Sequence, residues 1–275
     1  MLAYVLSDFQ TRAKLVDLPV PEPGHGEVLI RIGGAGACHS DLHIMHDWNP
    51  ENFPPLAAWK PPFTLGHENA GWIEGGDIPP GMAEGDPVVV SPTWSCGVCA
   101  SCRMGATNYC DQDQLLAGGL GRDGGFAEYM VAPSHCLVPL TSLTPATAAP
   151  LTDAGLTSYH AVKSCLPKLT PDASVVVIGI GGLGHLAVEF LRELCGARII
   201  AIDVDEASLA MARERGADVC LQSGDDTRQE VLDATAGLGA IAVLDFVGID
   251  STLMLATQIV RKRGEIVAIG MGGGV

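Results

Sequence analysis

Between Ser174 and Gly184 an apolar run, Ser174-Val175-Val176-Val177-Ile178, passes straight into Gly179-Ile180-Gly181-Gly182-Leu183-Gly184. No other segment restricts the fold as tightly. A G-x-G-x-x-G string alone is weak, but here a predicted strand ends at Ile178 and an amphipathic helix starts at once. Leu183, Leu186, Ala187, Phe190, Leu191 and Leu194 follow three or four residues apart, the spacing of one helix face. Gly179 permits a tight turn, Gly181 lets backbone approach a pyrophosphate, and Gly184 lets helix and strand pack closely. Gly182 and Leu183 complete the predicted phosphate turn, and the helix N-terminus offers it free N–H groups and partial positive charge. Asp203 stands nineteen residues after Gly184, at the end of a second predicted strand (198–202), where a carboxylate can bind both ribose hydroxyls. Asp205 and Glu206 follow with no nearby Arg for a 2′-phosphate, which favours NAD over NADP. The bland alternative is a glycine-rich turn that holds no ligand.

The rest of the second half continues the pattern. A helix over 206–215 stops at Gly216, and strands are predicted at 219–221, 241–246 and 265–269. Strand–helix alternation means a parallel sheet covered on both faces. Val247 and Gly248 follow one of these strands and Ile269 ends another, on the edge where cofactors lie. Before Pro150 the texture is different, rich in Pro and Gly with short apolar runs at 27–32 and 87–90, which reads as a β body with irregular loops. The chain of 275 residues is long enough for two domains, a β-rich one over 1–150 and a doubly wound α/β one over 151–275. A Pro-rich loop over 48–63 is expected to cover a surface or a cleft mouth. Trp48, Phe53, Leu56, Trp59 and Trp94 read equally well as pocket walls or as ordinary packing.

Four cysteines, Cys96, Cys99, Cys102 and Cys110, fall in one short stretch (about 94–112) as C-x2-C-x2-C-x7-C. Four thiolates at that reach suit the tetrahedral preference of Zn2+, and a site closed by four sulfurs leaves no position for substrate. This reads as a structural zinc lobe. An iron–sulfur cluster is a rival, but the bacterial ferredoxin run places its fourth Cys three residues after the third and follows it with Pro. Here the gap is seven, and Asp111 follows. A disulfide pair is the other rival.

Charge and composition exclude some partners. A net charge of -16 argues against nucleic acid or an anionic membrane, which need basic patches. No apolar stretch reaches membrane-spanning length, and the first residues meet Ser7-Asp8 before any signal-like run. Nine cysteines without an export signal suggest a reducing cytoplasm with thiols used for metal. Cys136, Cys165, Cys195 and Cys220 lie outside any ligand spacing and are expected to be buried small hydrophobes.

The first half also carries Cys38-His39-Ser40-Asp41-Leu42-His43 and Gly66-His67-Glu68. A catalytic zinc needs three protein ligands and one open position, and a thiolate with an imidazole is a start. Singly, Cys38 or His67 would more often be an ordinary packed residue. Together with the four-Cys lobe, Gly124-Gly125-Phe126-Ala127-Glu128-Tyr129 and the glycine fingerprint, in this order, they resemble the zinc-dependent medium-chain alcohol dehydrogenases over essentially the whole chain. Within that medium-chain dehydrogenase/reductase family the chain looks closest to bacterial NAD-dependent secondary-alcohol dehydrogenases, because Asp153, in Leu151-Thr152-Asp153-Ala154-Gly155, stands where many relatives place a third cysteine ligand.

The resemblance implies a GroES-like catalytic domain joined to a Rossmann cofactor domain, two zinc ions per chain and NAD. It implies that Cys38, His67 and Asp153 bind the catalytic zinc, with Glu68 close behind and Asp41 accepting the second N–H of His67. His39 would reach the cofactor's pyrophosphate, while Ser40 and His43 would carry the alcohol proton toward solvent. The implied reaction is reversible oxidation of a secondary or aryl alcohol to a ketone or aldehyde. A polyol or primary-alcohol dehydrogenase is the same-scaffold alternative, and a non-catalytic NAD- and zinc-binding fragment is another. Relatives form homodimers or homotetramers. Family members usually run on for several tens of residues past Ile269-Gly270, so a C-terminally incomplete cofactor domain is expected.

Overall fold

In the computed structural model, which describes residues 1–112 and 116–273, the chain divides into two compact units, Met1–Asp153 and Ala154–Val275. The division falls three residues beyond the change of texture at Pro150.

The first unit opens with β1 (Leu2–Leu6), β2 (Lys14–Asp17) and β3 (Glu27–Gly36), then helix α1 (His39–His46). After a short 3-10 turn at Pro54–Ala58 come β4 (Phe63–Thr64), β5 (Glu68–Gly76) and β6 (Pro87–Val90). The cysteine lobe holds the four-residue helix α2 (Ala100–Arg103). Strands β7 (Ala117–Gly118), β8 (Gly121–Arg122), β9 (Tyr129–Pro133) and β10 (Leu137–Pro139) follow, and α3 (Pro145–Ala148) leads to Asp153. The main sheet is antiparallel in the order β10-β6-β5-β3-β9, and a smaller sheet runs β2-β1-β4. Val28 and Ile30 on β3, Ile73 on β5, and Val88 and Val90 on β6 alternate into one core, as a half-buried antiparallel sheet requires.

The loop over 48–63 is folded inward more than its proline content suggests. Leu56, Trp59 and Phe63 are buried with Leu6, Ile44 and Leu65 in a second core, and the Trp59 ring meets Phe63 edge-on at 5.8 Å. Leu56 and Trp59 are therefore packing residues. Trp94 packs against the main-sheet core instead.

The second unit is doubly wound. It consists of α4 (Ala154–Cys165), β11 (Ser174–Ile178), α5 (Gly184–Leu194), β12 (Arg198–Asp203), α6 (Glu206–Glu214), β13 (Val219–Gln222), α7 (Thr227–Ala234), β14 (Ala240–Asp245), α8 (Asp250–Ile259) and β15 (Val260–Ala268). All five strands are parallel, in the order β13-β12-β11-β14-β15. Val175 and Val177 of β11, Ile199 and Ala201 of β12, and Ala242 and Leu244 of β14 enter one core. Val176, Ile178, Ile200, Ile202 and Val243 enter a second core on the opposite face. That is the period-two division of a sheet buried on both sides. Strand order reverses between β11 and β14, so the crevice at their carboxyl ends is the switch point where such sheets bind ligands.

Two readings need correction. The last strand starts at Val260 rather than 265, because Arg263 takes a positive φ of 65° and forms an irregularity that lets the pairing with β14 continue. Of the four remaining cysteines only Cys136 and Cys165 are buried, while Cys195 and Cys220 are half-buried.

Candidate active site

Cys38 is the N-cap of α1 in extended conformation, so its side chain projects from the helix start. Asp41, buried in the first turn, ties this end together: its Oδ2 accepts the Cys38 backbone N–H at 2.9 Å. Its Oδ1 lies 3.4 Å from His67 Nδ1, and among the described residues neither of these two atoms has another partner. One carboxylate therefore braces the residues from two distant stretches of chain.

The backbone behind His67 is held by glycines. Gly66 has φ +92°, and a Cβ there would meet the Phe126 ring at 2.5 Å. Gly124, Gly125 and Phe126 donate backbone N–H bonds to Thr64, Gly66 and Leu65, each at 2.9 Å. A Cβ on Gly119 or Gly124 would overlap the Gly66 carbonyl. This is the physical reason for the Gly124-Gly125-Phe126 motif, which seats the chain that presents the imidazole.

On its other side, His67 Nε2 lies 3.3 Å from Asp153 Oδ2. Cys38, His67 and Asp153 each offer a ligand atom, all within 4.8 Å of one another. Burial disfavours a charged ring here, but bonds to Asp153, Asp41 and Cys38 more than offset it and push the His67 pKa up to about 12. Two carboxylates and a thiol around one imidazole make a cluster short of positive charge. A divalent cation would supply it, and the sulfur, nitrogen and oxygen donor set suits zinc. Glu68, buried at the start of β5, faces Gly36 across the strand pair, where any Cβ would collide with its carboxylate.

Ser40 Oγ is 3.8 Å from Cys38 Sγ. His39 is exposed at the helix start, and His43 lies one turn on, with ring centroids 6.5 Å apart. Trp48 stacks on His43 at 4.9 Å, and Phe53 stacks on Trp48 at 4.7 Å.

In the lobe, Cys96 Sγ lies 4.0 Å from Cys102 Sγ, as does Cys99 Sγ from Cys110 Sγ, and all four sulfurs fall within 4.8 Å. A tetrahedron with Zn–S bonds of roughly 2.3 Å has edges of about 3.8 Å. Backbone N–H groups of Cys96, Cys99 and Cys102 point at sulfurs of Cys110, Cys96 and Cys99, each at 3.4 Å. Backbone donors from Val98 and Cys99 hold the Cys96 thiol down at about 6, whereas burial pushes Cys102 up to about 11. Four thiolates need a cation to coexist, and the geometry fits one.

In the second unit Gly179 turns at φ +85°, and Gly184 sits where a Cβ would strike the Gly179 carbonyl. A Cβ on Gly181 or Gly182 would meet nothing within 4 Å, so the turn between them is open to a ligand. Asp203 is at the end of β12, its Oδ2 accepting the Ile180 N–H at 2.6 Å and its Oδ1 the Asp205 N–H at 2.9 Å. The Leu183 carbonyl accepts from buried Ser158 Oγ at 2.8 Å, and His185 Nδ1 lies 2.7 Å from the Gly181 carbonyl. No sequence motif marks Ser158 or His185. At the switch point, buried Asp245 accepts N–H bonds from Val247 (2.9 Å) and Gly248 (3.1 Å) on its side chain. Its backbone carbonyl accepts from Ile269 (2.8 Å) and Gly270 (3.0 Å). One residue thus fixes both loops that carry Val247, Gly248 and Ile269.

Residues 24–142 match the alcohol dehydrogenase GroES-like domain, and residues 182–275 match the zinc-binding dehydrogenase model. An NAD-dependent alcohol dehydrogenase of Sulfurisphaera tokodaii is 39% identical over 99% of this chain and 79% of its own length. The chain belongs to the zinc-dependent medium-chain alcohol dehydrogenases. Within this family of oxidoreductases, the alcohol dehydrogenase of Aeropyrum pernix superposes with a TM-score of 0.92 at 36% identity, over 100% of this chain and 80% of that one. A D-arabinose 1-dehydrogenase (NADP(+)) of Saccharolobus solfataricus is 38% identical over 98% of this chain and 76% of its own length. No helix among the described residues is long and apolar enough to cross a membrane.

Proposed function

We propose that this chain oxidises a secondary or aryl alcohol to the ketone or aldehyde, reversibly, with NAD and zinc. The observation that carries the reading is the convergence of Cys38, His67 and Asp153, from three distant stretches, on one point with ligand atoms within 4.8 Å. Held there, zinc would supply Lewis-acid activation of the alcohol hydroxyl, and bound NAD would supply the hydride acceptor.

The chain's own residues do the rest. Cys38, His67 and Asp153 hold the metal, Asp41 orients the first two, and Glu68 stands behind as a carboxylate available during ligand exchange. Ser40 and His43, one helical turn apart, pass the alcohol proton on, and His39 at the helix start meets the cofactor's pyrophosphate. The open turn at Gly181 and Gly182, with Gly179, Leu183 and Gly184 shaping it, receives the phosphates, and Asp203 the adenosine ribose. Val247, Gly248 and Ile269 line the nicotinamide end. Cys96, Cys99, Cys102 and Cys110 hold a second, structural zinc. The Trp48–Phe53 stack beside His43 gives the alcohol an apolar, aromatic neighbour, which supports the secondary or aryl class.

A polyol or sugar hydroxyl is the second reading, favoured by the likeness to the D-arabinose dehydrogenase. The chain acts in the cytoplasm, where its nine free cysteines stay reduced, as a homodimer or homotetramer without nucleic-acid or membrane partners. The test is NADH appearance with a panel of secondary, aryl, primary and polyhydric alcohols, with a chelator control. Chelator-sensitive turnover with a secondary or aryl alcohol ranked first supports the proposal. Sugars ranked first would favour the second reading, and no turnover from a folded, zinc-loaded sample would overturn both.

A further inference from the structure

We propose that Asp47 is a positioning residue that locks His43 as its Nδ1–H tautomer, making Nε2 the proton acceptor in alcohol oxidation. The inference rests on the function proposed above and adds to it a group outside the Cys38–His43 and Gly66–Glu68 stretches.

His39, His43 and Asp47 recur every four residues along α1 and its C-cap, so they share one face. His43 Nδ1 lies 2.7 Å from Asp47 Oδ2. A carboxylate only accepts, so in the neutral ring the proton of this bond sits on Nδ1 and the lone pair on Nε2. The plane of the ring is fixed as well, by the Trp48 face at 4.9 Å and an interplanar angle of 17°. Asp47 itself is anchored: its carbonyl accepts from Asn52 Nδ2 at 2.7 Å and Gln10 Nε2 at 3.1 Å. The N–H groups of Asp47 and Trp48 both donate to the His43 carbonyl at 2.8 Å. These bonds fix the main chain from which the Asp47 carboxylate, 59% exposed, reaches the ring.

This is the orienting logic of a carboxylate behind a catalytic imidazole. The proton released from the alcohol O–H ends on Nε2, the hydride leaving separately to NAD. The imidazolium formed is balanced by Asp47 and then loses the Nε2 proton to water, which restores the starting tautomer. The side chain of His43 is 28% exposed, enough for that last exchange.

The test uses the full chain labelled with 15N-histidine, with His43 assigned by the His43→Gln variant. Two-bond 1H–15N spectra at alkaline pH are expected to show the Nδ1–H tautomer for His43 in the parent. In Asp47→Asn the amide can donate to Nδ1, and the tautomer should shift toward Nε2–H. Turnover of that variant should fall about 10-fold, less than the roughly 10²- to 10⁴-fold contribution of a general base itself, because His43 remains and only its orientation is lost, with KM little changed. Added imidazole should restore part of it. An Nε2–H ring in the parent, or an Asp47→Asn variant with unchanged tautomer or unchanged turnover, overturns the proposal. A parent with the Nδ1–H tautomer but no turnover at all would instead refute the dehydrogenase reading and with it the catalytic role of the pair.

Discussion

Replacing Asp41 by alanine removes two contacts whose losses can be separated. The first is the acceptor for the Cys38 N–H at 2.9 Å; leaving a partly buried donor unpaired costs about 1–3 kcal/mol of stability. The second is the carboxylate facing His67 Nδ1 at 3.4 Å. Loss of such a partner behind a metal-bound histidine weakens metal binding about 10- to 100-fold, or about 1.4–2.8 kcal/mol. Asp41→Asn divides the two, because its amide oxygen can still accept from Cys38 while the negative charge opposite the imidazole is gone. Competition titration with a chromogenic chelator should resolve two zinc ions per chain, with the four-cysteine ion as an internal reference. The alanine variant is expected to lose both denaturant stability and affinity for the weaker zinc, and the asparagine variant mainly the affinity. Unchanged affinity of both zinc ions in Asp41→Ala would refute the reasoning, since Asp41 contacts both the Cys38 backbone and the His67 ring.

Cys102→Ser should reduce zinc from two ions to one per chain, measured by metal analysis of purified protein, and lower the melting temperature, because a structural zinc contributes folding free energy directly. Asp203→Ala should weaken NAD about 10-fold and erase most discrimination against NADP, read from KM for each cofactor, since its carboxylate orders the Ile180 N–H as well as facing the ribose site. Trp59→Ala should cost about 3–5 kcal/mol in chemical denaturation, as for other buried aromatics, while leaving the ranking of alcohols unchanged.

What was legible in the sequence was what chemistry places close together along the chain. The glycine turn at Gly179–Gly184 is read by its own strand and helix, and the lobe cysteines by their spacing. Cys38, His67 and Asp153 are separated by long stretches, and no local rule joins them; the family resemblance did. Their mutual approach in the structure depends on β3, β5 and the 124–126 segment, whose pairing is non-local. The five added residues of β15 include Arg261, Lys262 and Arg263, which break the apolar run that marks 265–269, yet in the sheet they form only an irregularity. Leu56 and Trp59 could equally have lined a pocket, since an apolar residue on a Pro-rich loop does not declare which surface it meets. The His43–Asp47 bond was visible in principle as an i, i+4 pair, but only once α1 was known to reach that far.

The seat of His67 bears on how this enzyme could be re-engineered. Its rear support is mostly main chain, Gly119, Gly124 and Gly125 closing on the Gly66 carbonyl, with the Asn69 amide donating to that carbonyl at 3.0 Å and the Phe126 ring lying against Gly66. A Cβ on Gly119 or Gly124 would overlap the Gly66 carbonyl oxygen, so a library that varies these glycines would lose the seat in most clones. Diversity is better spent on Trp48 and Phe53, whose rings stack beside His43 without forming part of that seat.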